Sequence, residues 1–298
     1  MLNIYEQVDR NKRKSAILMA LFTTFIALVA YSIGYLTGDG PVYLVPALIF
    51  SFLGNFFGYF FSDKMALSMA KAYPADPKEF PDLHSIVENL SWVAQIPKPK
   101  IYLIPDDGLN AFATGRDPQH AAVAITEGLY EMLDRTELEG VLAHEISHIR
   151  NYDTRLMMLV AILIGSLSLL IDWGFRWRLW SRGEEEDPTN PIIFAFGVVL
   201  ILLAPLVANL IKLAISRRRE FYADASGAKL TRQPSGLINA LKKIANHSSL
   251  SRVSTATAHL YIADPLPKSS FFSKLIAKMF STHPPIEERI AALQGLKV

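Results

Sequence analysis

Two long stretches of this chain carry no charge, one from Ser15 to Gly38 and the other from Gly40 to Ser62. Roughly 20 apolar residues of helix cross the hydrocarbon core of a bilayer, and each stretch exceeds that. A helix that is apolar all round must be buried in protein or in lipid, and two in succession point to lipid. A cleaved signal peptide has a shorter apolar core and no second span directly behind it, so the reading is a retained anchor. Thr37-Gly38-Asp39-Gly40-Pro41 reads as a tight turn, which folds the two spans into a helical hairpin. Gly54-x-x-x-Gly58 in the second span allows a close helix contact. Arg10, Lys12, Arg13 and Lys14 precede the first span, and the turn has no basic residue. That asymmetry predicts a cytoplasmic N-terminus, with the chain returning to the cytoplasm at Asp63.

Two further apolar runs follow. Leu156 to Ile171 is short for a full crossing, and Pro188 to Ile211 is long enough. Arg176, Arg178, Arg182 and acidic residues lie between them, and Lys212 and Arg217 to Arg219 follow. This pattern predicts a second hairpin with both chain ends inside, or a re-entrant helix in place of the shorter run. The expected organisation is an N-terminal hairpin (1–62), a first catalytic portion (63–155), a second hairpin (156–215) and a second catalytic portion (216–298).

The residues that carry chemistry sit in the first catalytic portion as His144-Glu145-Ile146-Ser147-His148. Residues four apart lie one above the other on an α-helix, so the two imidazoles share a face and can grip one metal ion. Glu145 points partway round the cylinder, where it can take a proton from a water that the cation activates. Leu138, Val141, Leu142 and Ile149 have helical spacing, and Thr136 three residues before Glu139 reads as a capping box. A tetrahedral site needs a further ligand. Asn151 and Thr154 stand where the metzincin pattern has Gly and His, which excludes that class. The remaining common answer is a glutamate on a later helix. Arg218-Arg219-Glu220-Phe221-Tyr222-Ala223-Asp224 offers Glu220 as ligand and Asp224, on the same face, as hydrogen-bond acceptor for a ligand histidine.

Around this helix the chain reads as a small α+β unit. Pro74, Pro77 and Pro81 punctuate a linker. Asp82 to Gln95 is an amphipathic helix, and Lys100 to Ile104, Ala111 to Thr114 and Ala121 to Ile125 are strands. Thr126 to Leu133 is a short helix. Asn110, Ala111, Phe112, Ala113 and Thr114 are the candidate substrate-binding stretch. They form either an exposed edge, to which an extended peptide adds as a strand, or an ordinary interior strand. Near the C-terminus, His283 and Arg289 are candidate donors to an oxyanion.

Composition narrows the classes further. The chain is 51% apolar, and its net charge of +2 is too small to suggest a nucleic-acid partner. It has no cysteine, which excludes thiolate ligands and a cysteine nucleophile. No G-x-x-x-x-G-K loop is present, so no nucleotide partner is expected.

Taken together, the His144–His148 motif, the run at 218–224, Asn110 to Gly115, and His283-Pro284 with Arg289 resemble the HtpX heat-shock membrane proteases. These are gluzincin-type zinc peptidases related to the CAAX prenyl endoprotease. The resemblance covers nearly the whole chain. It implies a mainly α membrane protein with a zincin-like α+β protease domain and one Zn²⁺ per chain. The ligands implied are His144, His148 and Glu220, with Glu145 as general base and Asp224 behind a ligand. It further implies His283 and Arg289 as transition-state stabilisers and 110–114 as the substrate edge. Misfolded membrane proteins are the implied substrates, met at the cytoplasmic face of the inner membrane. Two other readings compete: an intramembrane site-2-type protease, disfavoured by Glu139, Arg150, Asp153 and Arg155 around the motif, and a non-catalytic metal-binding scaffold.

Overall fold

A computed structural model of the chain describes residues 4–161, 217–247, 250, 260–263 and 284–296. Helices α1 (Ile4–Thr37) and α2 (Leu44–Phe60) are the expected apolar pair, joined through a 3₁₀ turn at Gly40–Tyr43. Their apolar windows, Val8–Ser32 and Gly40–Phe60, have mean hydropathies of 1.9 and 1.6. Leu21, Leu28, Ile49, Phe52 and Phe57 stand exposed along them. So large an apolar surface is suited to lipid and not to water. Between the helices the Asn55 amide donates to the Thr23 hydroxyl at 3.0 Å. The second hairpin expected over 156–215 lies, beyond residue 161, outside the described residues. Residues 156–161 themselves are helical and buried.

After α2 come α3 (Ser62–Met69), the two-residue β1 (Tyr73–Pro74), α4 (Pro81–Ala94), β2 (Lys100–Ile104), β3 (Ala111–Gly115), β4 (Ala121–Thr126), α5 (Glu127–Met132) and α6 (Arg135–Arg150). Helices α7 (Arg217–Thr231), α8 (Pro234–His247) and α9 (Ile286–Gln294) follow later in the chain. The prolines read as linker punctuation have structural places. Pro74 sits in β1, an edge strand, where a missing N–H is tolerated, and Pro81 opens α4, where the N–H has no helical partner.

The strand order is β1-β2-β4-β3, with β2 and β4 parallel and the other pairs antiparallel. Alternation along the strands sends side chains into two separate cores. Ile101, Leu103, Ala111, Ala113, Val123 and Ile125 face the core shared with α4, α6 and α8. Phe112, Ala122 and Ala124 face a second core with Ala66 and Leu67 of α3 and with Met157 and Met158. The sheet therefore lies between α6 on one side and α3 with Met157 and Met158 on the other.

Helix α6 begins two residues earlier than its sequence suggested. Its N-cap is Asp134, whose carboxylate accepts from the Glu137 N–H at 2.9 Å, while the Glu137 carboxylate accepts from the Asp134 N–H at 2.9 Å. This Asp134–Glu137 capping box replaces the Thr136–Glu139 pair. Lys243 of α8 fixes the choice by pairing with Glu137 at 2.6 Å. Across α6 the fit to α7 is close. A Cβ on Gly227 would lie 2.9 Å from the His144 backbone nitrogen. Glycine at that point lets α7 approach near enough to reach the motif.

Candidate metal centre

Helix α6 carries His144, Glu145 and His148 inward, and all three are buried. Helix α7 crosses it and delivers Glu220 from its first turn. The ligand atoms of His144, His148 and Glu220 all lie within 4.8 Å of one another. The two imidazole Nε2 atoms are 3.2 Å apart. Glu220 places its carboxylate oxygens 3.7 Å from His144 Nε2 and 3.6 Å from His148 Nε2. A tetrahedral cation with ligand bonds of about 2.0–2.1 Å spaces its ligands roughly 3.3–3.4 Å apart, close to these separations. Two neutral imidazoles would oppose lone pairs at 3.2 Å, an arrangement that needs a proton or a cation between them.

Each histidine is held from behind. His144 Nδ1 lies 2.9 Å from Asp224 Oδ1, and His148 Nδ1 lies 3.2 Å from Asp153 Oδ2. With Nδ1–H donating to a carboxylate, each ring keeps its Nε2 lone pair for the cation. Arg289 Nη2 also stands 3.4 Å from His144 Nδ1. Both groups carry hydrogens in this arrangement, so Asp224 is the partner that sets the tautomer.

Burial sets the titration of the cluster. It holds the His144 imidazole down, at about 4, against the pull of Asp224. Burial would also lower His148, but the Asp153 hydrogen bond and the charges of Glu220 and Asp153 outweigh it and raise the group to about 9. Burial lifts Glu145 to about 7, with Glu220 adding to the rise. Asp224 is driven the other way. Burial would raise it, yet the Arg289 guanidinium holds it at about 2.

The register of β3 decides what its edge offers. The Asn110 carbonyl accepts from the Thr126 N–H at 3.0 Å. Residues 110, 112 and 114 therefore pair with β4, and 111 and 113 turn their backbone groups to the open side. The Ala111 carbonyl accepts from the Ile262 N–H at 2.8 Å. The Ala113 backbone N–H lies toward the Glu145 carboxylate and works against the rise that burial causes. Asn110 is tied elsewhere, its amide donating to the Ala263 carbonyl at 3.1 Å. Phe112 points to the opposite face of the sheet, where its ring meets Tyr261 at 5.1 Å, and Thr114 is buried on that same side of the strand.

Arg289 is fully buried in α9 and faces Asp224, not the open side of the cluster. Its Nε and Nη2 donate to the two Asp224 oxygens at 2.8 and 2.7 Å, and Nη1 donates to the Ile262 carbonyl at 2.8 Å. His283 lies outside the described residues. The sequence reading missed Asp153, which it had used only as a water-side charge. Its position five residues after His148, just past the helix end, was the available signal.

A helix-borne pair of imidazoles closed by a carboxylate from a second helix, with a buried glutamate beside them, defines a metallopeptidase centre of the zincin type. Residues 77–297 match the model of peptidase family M48. A "Protease HtpX homolog" from Caldanaerobacter subterraneus subsp. tengcongensis is 42% identical over 301 residues, spanning 99% of this chain and 98% of the relative. One from Streptococcus pneumoniae is 43% identical over 304 residues, spanning 98% and 100%. The fold resembles the crystal structure of S. mikatae Ste24p with a TM-score of 0.54 at 20% identity, covering 96% of this chain and 66% of that one. The chain belongs to peptidase family M48, among the HtpX proteases, and is a metalloprotease.

Proposed function

We propose that this metalloprotease is a zinc endopeptidase of the cytoplasmic membrane that hydrolyses misfolded or damaged membrane proteins at the inner face. The observation that carries the reading is the convergence of His144 Nε2, His148 Nε2 and a Glu220 oxygen within 4.8 Å, inside the protein and beside Glu145. Two imidazoles and a carboxylate suit zinc better than a harder cation such as Ca²⁺ or Mg²⁺. Zinc held there supplies a Lewis acid to the scissile carbonyl and to the attacking water.

The remaining work falls to the protein. Glu145, lifted to about 7, accepts a proton from the attacking water and returns it to the departing amine. Residues 110–114, along β3, are the candidate substrate strand, with Ala113 beside Glu145, and a substrate adding to this edge would have to displace Ile262 from the Ala111 carbonyl. His283 is the candidate donor to the developing oxyanion. Arg289 acts through Asp224 and is a positioning residue. The four basic residues in the first turns of α1, ahead of its uncharged stretch, support the cytoplasmic orientation. Tyr59 and Phe60, at the end of α2, stack against Arg155 and Arg116 at 5.3 and 5.2 Å. These contacts support a site close to the membrane surface.

The test is cleavage of a flexible membrane-protein substrate by the parent chain and by Glu145→Gln. Retained zinc with lost cleavage supports the reading. Cleavage at the parent rate removes Glu145 from the chemistry.

A further inference from the structure

The apolar hairpin is not only an anchor. Asn11 lies in the first turns of the Val8–Ser32 span and is 3% exposed. Both hydrogens of its side-chain amide are used by the metal portion. One goes to the Asn151 carbonyl at 2.9 Å, just past the end of α6. The other goes to Asp153 Oδ1 at 2.8 Å. The second oxygen of Asp153 holds His148 Nδ1 at 3.2 Å. The chain of contacts runs Asn11, Asp153, His148 and then the cation site, with every member buried. Arg219 of α7 pairs with the same Asp153 Oδ1 more loosely, its Nε at 4.0 Å.

We propose that Asn11 is a positioning residue for the metal centre, so that the first membrane helix helps to orient the second histidine ligand. A carboxylate that steers a ligand histidine must itself be held, because a free carboxylate rotates and lets the ring turn. Asp224 is held by the Arg289 fork, and Asp153 has Asn11 in the corresponding place. An amide supplies the donor without adding a charge. A lysine there would leave an ammonium in a buried position at the edge of lipid. Asn11 also reads the position of α6 through the Asn151 carbonyl, so one side chain fixes both the carboxylate and the end of the helix it serves. The inference rests on His148 being a metal ligand.

The experiment measures zinc affinity by chelator competition on the full chain in detergent micelles. Asn11→Ala is expected to bind zinc about 10- to 100-fold more weakly, the usual effect of losing a group that orients a ligand. Asn11→Asp, which sets a carboxylate against Asp153, should be weaker still. Ser32→Ala, on the same helix but exposed and bonded to the Leu28 carbonyl, should bind as the parent does. In an Asp153→Asn background, Asn11→Ala should add little, because its effect passes through that carboxylate. Parent-like affinity in Asn11→Ala, or a full additive loss in the double variant, overturns the proposal. Should Asn11→Ala fail to fold, Asn11→Gln keeps an amide donor and is expected to restore most of the affinity, and its failure to outbind Asn11→Asp also overturns the proposal. Absence of zinc binding by the parent chain would instead remove the ligand reading on which this one stands.

Discussion

Arg289 and Asp224 form a closed fork, with Nε to Oδ2 at 2.8 Å and Nη2 to Oδ1 at 2.7 Å, buried between α7 and α9. The same Oδ1 meets His144 Nδ1 at 2.9 Å. The arginine therefore keeps Asp224 charged and still, and Asp224 keeps the metal-facing nitrogen of His144 bare. Arg289→Met should destabilise the fold by about 3–5 kcal/mol, because it leaves a buried carboxylate without its partner. Zinc affinity should fall with it. Thermal unfolding with and without zinc checks both. An unchanged zinc affinity in folded Arg289→Met would contradict the positioning role.

The crossing of α6 and α7 is set by Gly227. A methyl there meets the His144 backbone nitrogen at 2.9 Å, which forces one helix away from the other. Gly227→Ala should cost about 1–3 kcal/mol of stability. It should also weaken zinc binding, because Glu220 rides on the displaced helix. Chelator competition and thermal unfolding on the same sample would show the two losses together.

Metal uptake should depend on pH through His148. Without a cation, its neighbouring carboxylates keep this imidazole protonated up to about 9. Zinc must displace that proton, so affinity should rise about tenfold per pH unit from neutral pH toward 9 and then level off. The stability of the metal-free chain runs the opposite way. The folded value lies above the ordinary histidine value of 6.5, so the stabilisation is complete below pH 6.5 and is lost as pH rises through 9. Titration of zinc affinity against pH, with urea unfolding of the chelated protein, tests both slopes. Replacing His148 with glutamine should flatten both.

The cap of α6 can be separated from the chemistry. Asp134→Ala removes one side of the capping box and should cost about 1 kcal/mol. Thr136→Ala should cost less, because Thr136 does not cap the helix. Neither should alter zinc affinity beyond its effect on folding, and thermal unfolding of the zinc-loaded forms ranks them.

Much of this architecture was legible in the sequence because it is encoded locally. The strand at Lys100–Ile104 ends in a turn and is bounded by prolines, so its limits were read correctly. The pair at 144 and 148 was legible because helical spacing puts both imidazoles on one face, and Glu220 was reached only through the need for a third ligand and its spacing from Asp224. Helix α3 was hidden because the eight residues Ser62–Met69 follow directly on an apolar span, with a charge pair at Asp63 and Lys64 that reads as the start of a linker. The cap was misplaced because Asp134 and Thr136 each have a glutamate three residues on, and only Lys243, more than a hundred residues away, distinguishes Glu137. Arg289 was read as facing substrate because its charge suits an oxyanion. Its partner, Asp224, is 65 positions earlier and becomes visible only when α7 and α9 are packed. The Asn11–Asp153 contact spans 142 positions and joins the basic start of α1 to the first residue of the helical stretch that follows α6, a pairing that no local pattern records.

The central claim is that His144, His148 and Glu220 close on a single cation. The direct measurement is the zinc stoichiometry and dissociation constant of the purified full chain beside Glu220→Ala. The account expects one zinc per parent chain, and for the variant a zinc affinity weaker by about 10²-fold or more with no cleavage of protein. A Glu220→Ala chain that binds zinc as tightly as the parent and still cleaves its substrate would contradict it.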